Sequence, residues 1–179
     1  MSDKKFILPS ETLQVDKIQL IPLIETDFEE LYSVASDPLI WEQHPTSDRY
    51  KKDVFQLYFE GAIKSESAFK IYDAEKNTIM GSTRYYEFDS ENSTVSIGFT
   101  FMSRDYWGGE INFKIKKLLI DYAFKTVDSV LFHIGENNIR SQKSILKIGA
   151  KRIEDKEIEL YGKKVLSFQY EIKKSDWES

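Results

Sequence analysis

The sequence predicts one α/β domain, a mixed and mostly antiparallel sheet with helices packed over it. Three observations predict it. Strand-length apolar runs alternate with longer runs whose apolar residues recur at helical spacing. Three of the strand runs follow one another with only polar turns between them, the mark of an antiparallel meander. The 179 residues contain no internal repeat, low-complexity tract or Pro/Gly/Ser-rich linker, which fits a single domain. On this reading residues 1–12 are an N-terminal extension and residues 13–179 the domain.

The elements follow in the order β-α-α-β-β-β-α-β-α-β-β. Leu13 to Leu23 place Leu13, Val15, Ile18 and Leu20 in rough alternation, a half-buried strand ending at Pro22. Thr26 or Asp27 caps a short helix carrying Phe28, Leu31, Tyr32 and Ala35, which stops before Pro38. Leu39 to Arg49 read as a loop. Val54, Phe55, Tyr58, Phe59 and Ala62 form the apolar face of a second helix. The meander is Ala68 to Tyr72, Ile79 to Phe88 and Thr94 to Met102, joined through Asp73 to Asn77 and Asp89 to Ser93.

Ile111, Ile115, Leu118, Leu119 and Tyr122 define one helical face, while Phe113, Ile120 and Phe124 add apolar residues around it, so this helix packs on more than one side. A strand over Ser129 to Gly135 leads to a helix opened by Asn138 and closed near Lys147 or Ile148, with Gly149 just past its end. Ile158 to Leu160 and Val165 to Ile172 read as a hairpin about Tyr161, Gly162 and Lys163.

Composition narrows the function. Zero cysteines exclude disulfides, thiolate metal sites and a Cys nucleophile, and two distant histidines, His44 and His133, argue against a multi-histidine zinc site. No apolar run approaches the ~20 residues of a membrane span and the start lacks a secretory h-region, so the expected protein is cytoplasmic and metal-independent. A net charge of −5 argues against a general nucleic-acid binder. The charge is uneven: Arg104 to Arg152 hold ten Lys/Arg against five Asp/Glu, a local +5 that leaves −10 for the rest. A basic third within an acidic chain fits either a local anionic ligand or solvated helix faces.

Two segments carry chemistry. In Met102-Ser-Arg-Asp-Tyr-Trp-Gly-Gly-Glu-Ile-Asn112 a strand turns through Gly108 and Gly109 into a helix whose first-turn N–H groups and dipole favour an anion. Lys114, Lys116 and Lys117 lie just beyond, and Asn112 and Lys116 share a helix face. The same glycines also serve an unliganded turn. In Glu136-Asn-Asn-Ile-Arg-Ser141, Asn138 is an N-cap that can also serve an extended polar ligand.

The order of these segments resembles the Gcn5-related N-acetyltransferase (GNAT) family, and within it the branch of ribosomal-protein N-terminal acetyltransferases. The residues that carry the resemblance are Ser96-Ile-Gly-Phe-Thr100, Tyr106-Trp-Gly-Gly, Asn112-Phe-Lys-Ile-Lys116, Asn138-Ile-Arg-Ser141 and Ile145-Leu-Lys-Ile-Gly-Ala150, within a match that spans roughly Leu13 to Lys173. The resemblance implies an acyl-CoA N-acyltransferase fold whose central strands splay to hold acetyl-CoA. It implies pyrophosphate on the amides from about Trp107 to Asn112, pantetheine beside Phe101 and Met102, a hydrogen bond to that arm from Asn138, and Ser141 near the sulfur as the group acting on the leaving thiolate. Where the family's loop has its second glycine this chain has Glu110, and Asn112 with Lys116 is expected to compensate; where many relatives carry an acid before Ile-Gly this chain has Ser96. The implied reaction is direct attack of an amine, a protein N-terminus or a small molecule, on acetyl-CoA without metal. An α-amine ordinarily titrates at about 7.7–8.0 and a lysine at about 10.4, which favours the former where no strong base is present. Glu87, His133 and Glu136 are the possible bases. A CoA-binding or protein-interaction module without catalysis is the alternative.

Overall fold

The computed structural model describes residues 5–160 and 162–177. In chain order its elements are β1 (Leu13–Val15), β2 (Ile18–Pro22), α1 (Phe28–Ala35), α2 (Pro38–Trp41), α3 (Lys52–Ser65), β3 (Ala68–Asp73), β4 (Thr78–Asp89), β5 (Thr94–Met102), α4 (Ile111–Ala123), β6 (Ser129–Gly135), α5 (Ile139–Lys147), β7 (Lys151–Leu160), β8 (Lys163–Lys173) and α6 (Lys174–Trp177). The strands form one sheet in the order β1-β2-β3-β4-β5-β6-β8-β7, antiparallel throughout except for the parallel pair β5–β6. The predicted mixed α/β fold is therefore present.

Four local expectations are corrected. The first predicted strand breaks at Asp16 and Lys17, where Asp16 takes φ 52°, and Val15 pairs with Ile18 across a tight hairpin. Aspartate tolerates that left-handed conformation better than most residues. The predicted cap of α1 does not form, because the Asp27 carboxylate turns back to accept from Ile24 N (2.9 Å) and from Lys70 Nζ (2.6 Å). The predicted loop over Leu39 to Arg49 begins inside α2, which Asp37 caps by accepting from Leu39 N (3.0 Å) and Pro38 starts with its fixed φ. Four residues are too few to show a helical period. Finally, β7 extends far beyond Ile158–Leu160; as an edge strand paired only to β8 it tolerates the charged run Lys151–Glu157. Tyr161, in the predicted hairpin turn, lies outside the described residues.

Two apolar layers sandwich the sheet. On one face Ile115, Leu119 and Ile120 of α4 pack over Ile18, Ile71, Val95, Ile97 and Val130. Residues before β1 join this layer, with the Phe6 ring 4.6 Å from Tyr85 and Ile7 O accepting from Tyr122 Oη (2.9 Å). On the other face α1, α2 and α3 bring Trp41, Phe55, Tyr58 and Phe59 over Ala68, Ile79 and Phe101.

A bulge in β5 divides its side chains between these layers. Ser82 pairs with Phe101 and Arg84 with Gly98, so Phe99 and Thr100 together oppose Thr83, and Phe99 adopts φ 51°. The extra residue reverses the alternation. Val95 and Ile97 therefore face the α4 layer, Phe101 faces the aromatic layer, and Met102 returns to the α4 side.

Candidate active site

Strands β5 and β6 are paired only over Thr94–Ser129, Val95–Val130 and Ser96–Leu131. Beyond those pairs β5 stays with β4 through Met102 while β6 stays with β8 through Gly135, so a wedge opens at the carboxyl ends of the two parallel strands. Each strand leads into a helix there, β5 into α4 and β6 into α5, and both helix N-termini border the opening. Asn112 Nδ2 donates to Ser144 Oγ and ties the two helices together. Lys114 N is the first α4 amide bonded to a carbonyl four residues back, at Glu110 O (2.9 Å), which leaves the earlier amides without helical partners.

A cavity of about 590 Å³ runs from this loop into the wedge. Phe101, Met102, Trp107, Gly108, Gly109, Asn112, Lys116, Asn138 and Ser141 all line it. Its other charged walls are Arg140, Lys143 and Lys147, one face of α5, and among the described residues no carboxylate lines it. The Arg140 guanidinium lies 3.8 Å from the Trp107 ring centroid. Gly108 has φ 80°, and a Cβ on either Gly108 or Gly109 would meet nothing within 4 Å, so no other residue packs on the side-chain side of this turn. Glu110 is 85% exposed and 3.8 Å from Lys114, so its carboxylate points away from this wall.

The three lysines of α4 divide between the cavity and the surface. Lys114 pairs with Asp16 (2.7 Å) and Lys117 with Asp121 (2.6 Å), both outside the cavity. Lys116 is only 6% exposed and turns into the wedge, where Nζ donates to Thr100 Oγ1 (2.9 Å) and lies 5.7 Å from the Phe132 ring centroid. Burial pushes its pKa down to about 8. Its Nζ is thus engaged with β5 at Thr100, while Asn112 and Lys116 both line the first cavity. Arg140, Lys143 and Lys147, not singled out from the sequence, supply the positive wall; their spacing from the Asn138 cap was the available signal.

A second cavity of about 450 Å³ opens on the far side of the wedge. It shares His44, Thr100, Lys116, Asn138, Ser141 and Ile145 with the first, so the two meet at these residues. Asn138 Oδ1 accepts from Ser141 N (3.2 Å), the predicted cap, while the Ser141 hydroxyl has no partner among the described residues. His44 is pushed down to about 4, by burial first and then by Arg49 and Arg140. Of the three possible bases, Glu87 and His133 line this cavity, whereas Glu136 is exposed and lines neither. His133 Nε2 sits 3.3 Å from Ser96 Oγ and 3.4 Å from Glu87 Oε2, and burial lowers its pKa. Arg49, in the segment read as a featureless loop, forms another wall.

An opened parallel pair, two helix N-termini and a cationic cavity meeting a second cavity suit a transferase whose donor carries phosphate. Known proteins agree. The family model of the acetyltransferase (GNAT) domain matches residues 17–151, and the chain belongs to that family: it is an acyl-CoA-dependent N-acetyltransferase. Enzymes of this family transfer an acetyl group from acetyl-CoA to amines. A probable acetyltransferase (GNAT family) from Chromobacterium violaceum shares the fold at 13% identity and TM-score 0.85, over 100% of this chain and 95% of that one. So do the ribosomal-protein-S5-alanine acetyltransferase of Vibrio fischeri (15%, TM-score 0.70, 95% and 100% covered) and the spermidine N-acetyltransferase of Vibrio cholerae in complex with CoA and spermine (14%, TM-score 0.70, 91% and 99% covered). No curated protein sequence matches. Among the described residues no helix is long and apolar enough to cross a membrane, and no group of three or more His, Asp or Glu is placed to hold a metal.

Proposed function

We propose that the donor occupies the cationic cavity and that an acceptor amine, a small molecule or a protein N-terminus, enters through the second. The observation that carries this reading is the junction: Ser141, Asn138, Thr100 and Lys116 belong to both cavities. The residues fit CoA. The glycine turn and the α4 dipole suit its pyrophosphate, and Arg140, Lys143 and Lys147 neutralise phosphate charge with no competing carboxylate among the described lining residues. Phe101 and Met102 wall the path of the pantetheine arm, and the Asn138 side chain serves as its partner while capping α5. Acetyl-CoA supplies the activated acyl group, which passes directly to the amine nitrogen as the thiolate departs.

The protein positions these reactants and stabilises the charge that develops. Beyond the bulge β5 has no β6 partner, so backbone N–H groups it turns into the wedge are available to the thioester oxygen. The Ser141 hydroxyl donates toward the departing sulfur, and the Lys116 ammonium adds positive charge at the same junction. His133, set between Ser96 and Glu87, faces the second cavity as acceptor of the amine proton. The Trp107-to-Lys116 pattern supports the branch of ribosomal-protein N-terminal acetyltransferases, and an α-amine suits a weak base. Ser141→Ala tests the reading: kcat falls about 10²-fold, the scale of one proton-transfer group, while acetyl-CoA affinity holds. Weakened binding with unchanged kcat would make Ser141 a binding residue instead.

A further inference from the structure

We propose that the acceptor carries a carboxylate beside its amine and that Arg49 binds it; this rests on the acetyl-transfer reading above. Arg49 is 9% exposed and lines the second cavity. Its guanidinium carbon lies 5.6 Å from the Trp41 ring centroid and 5.2 Å from that of Tyr58, so aromatic faces hold it in place. Those contacts use its faces and leave its five N–H groups unanswered. Nε is shielded from solvent without an acceptor, and no described residue gives this guanidinium a hydrogen bond or a carboxylate. Buried polar groups are satisfied almost without exception, and a buried charge left unpaired is costly. A planar carboxylate answers a guanidinium fork with two parallel hydrogen bonds.

The rest of the cavity selects the same chemistry. Lys156 is paired with Glu154 (3.4 Å), which leaves Arg49 and Lys116 facing one lining carboxylate, Glu87, whose side chain is 68% exposed beside His133. An excess of positive charge disfavours a polyamine and is relieved by an amine that carries its own anion. The cavity is of small-ligand size and joins the thioester site at Lys116 and Ser141, so an amine can reach the junction while its carboxylate stays with Arg49.

Paired acceptors test the proposal: free amino acids against their amides, peptides beginning with Asp against the same peptides beginning with Asn, and a polyamine. With rates corrected for the fraction of neutral amine, kcat/KM of the wild type favours the acid of each accepted pair at least ~10-fold, the scale of a charge-assisted hydrogen bond. The free amino acids and the Asp peptides separate the two sources of carboxylate. Arg49→Gln brings the acid-to-amide ratio near one, and Arg49→Lys restores part of it. The thermal shift of each variant with CoA, whose cavity Arg49 does not line, confirms that the fold survives. A wild-type ratio near one, preference for the polyamine, or equal loss on acid and amide in Arg49→Gln overturns the proposal. Titration of the acids into the CoA complex keeps the two readings apart. Binding without turnover supports the carboxylate site and sinks acetyl transfer at this junction; turnover indifferent to the carboxylate does the reverse.

Discussion

Replacing Lys116 by methionine removes an ammonium from the wedge and keeps an unbranched apolar stem. The stability effect follows from where the proton sits. Lys116 is 6% exposed, its described contacts are one hydroxyl and one ring face, and burial lowers its pKa from 10.5 to about 8. Below pH 8 the lysine is charged in both folded and unfolded chains, and the folded state bears the full cost of desolvation. Between pH 8 and 10.5 the unfolded chain holds a proton that the folded chain has released, so this group makes wild-type stability rise with pH across that window. At 1.36 kcal/mol per pH unit the window is worth about 3 kcal/mol. Other groups titrate in the same range, so the quantity to measure is the difference between variant and wild type in urea unfolding. The advantage of Lys116→Met is expected to be about 3 kcal/mol larger at pH 7 than at pH 10.5. A difference that stays constant with pH would refute the buried placement of Nζ. If the thiolate leaves at the junction, as proposed, the same variant should turn over more slowly, because it removes the ammonium there.

Two further outcomes check the walls of the site. A Cβ on Gly81 would fall 1.9 Å from Phe101 O, so Gly81→Ala must push β5 from β4; we expect about 3 kcal/mol of lost stability in urea and weaker CoA binding by calorimetry. Lys143→Ala and Lys147→Ala should each weaken CoA by about 0.5–1 kcal/mol and flatten its salt dependence, whereas Lys114→Ala, paired with Asp16 outside the cavity, should leave both unchanged.

Legibility in the sequence followed the range of the interactions. Both strands that flank the wedge, Thr94–Met102 and Ser129–Gly135, have the bounds their apolar runs predict, and the Asn138 cap forms because capping is local. The glycine pair after Trp107 reads as an open turn and is one. What failed to show depends on distant partners. Ile97, Phe99 and Phe101 read as one face of a strand, and only the β4 register exposes the bulge that sends Ile97 and Phe101 to opposite layers. Lys116 shares a helix face with Asn112, yet its long side chain follows the wedge toward Thr100, on a strand that spacing along the helix cannot place. Arg49 was hidden for the same reason, since Trp41 and Tyr58 enclose it from two separate helices.

These misses converge on one physical feature. A parallel pair that separates after three residues removes backbone partners along one edge of β5, and the bulge turns Thr100 toward α4. Lys116 at the junction and Arg49 in the second cavity then hold positive charge with little exposure and no paired carboxylate among the described residues, which is costly. Among the described residues no carboxylate lines the first cavity, and the second has only Glu87 at an exposed edge. In a chain of net charge −5, cations left uncompensated around one wedge are a local choice of the fold and not a consequence of composition. Anionic ligands entering from the two sides would satisfy them, so on the proposed reading the stability these charges cost returns as binding energy at the junction of the two cavities.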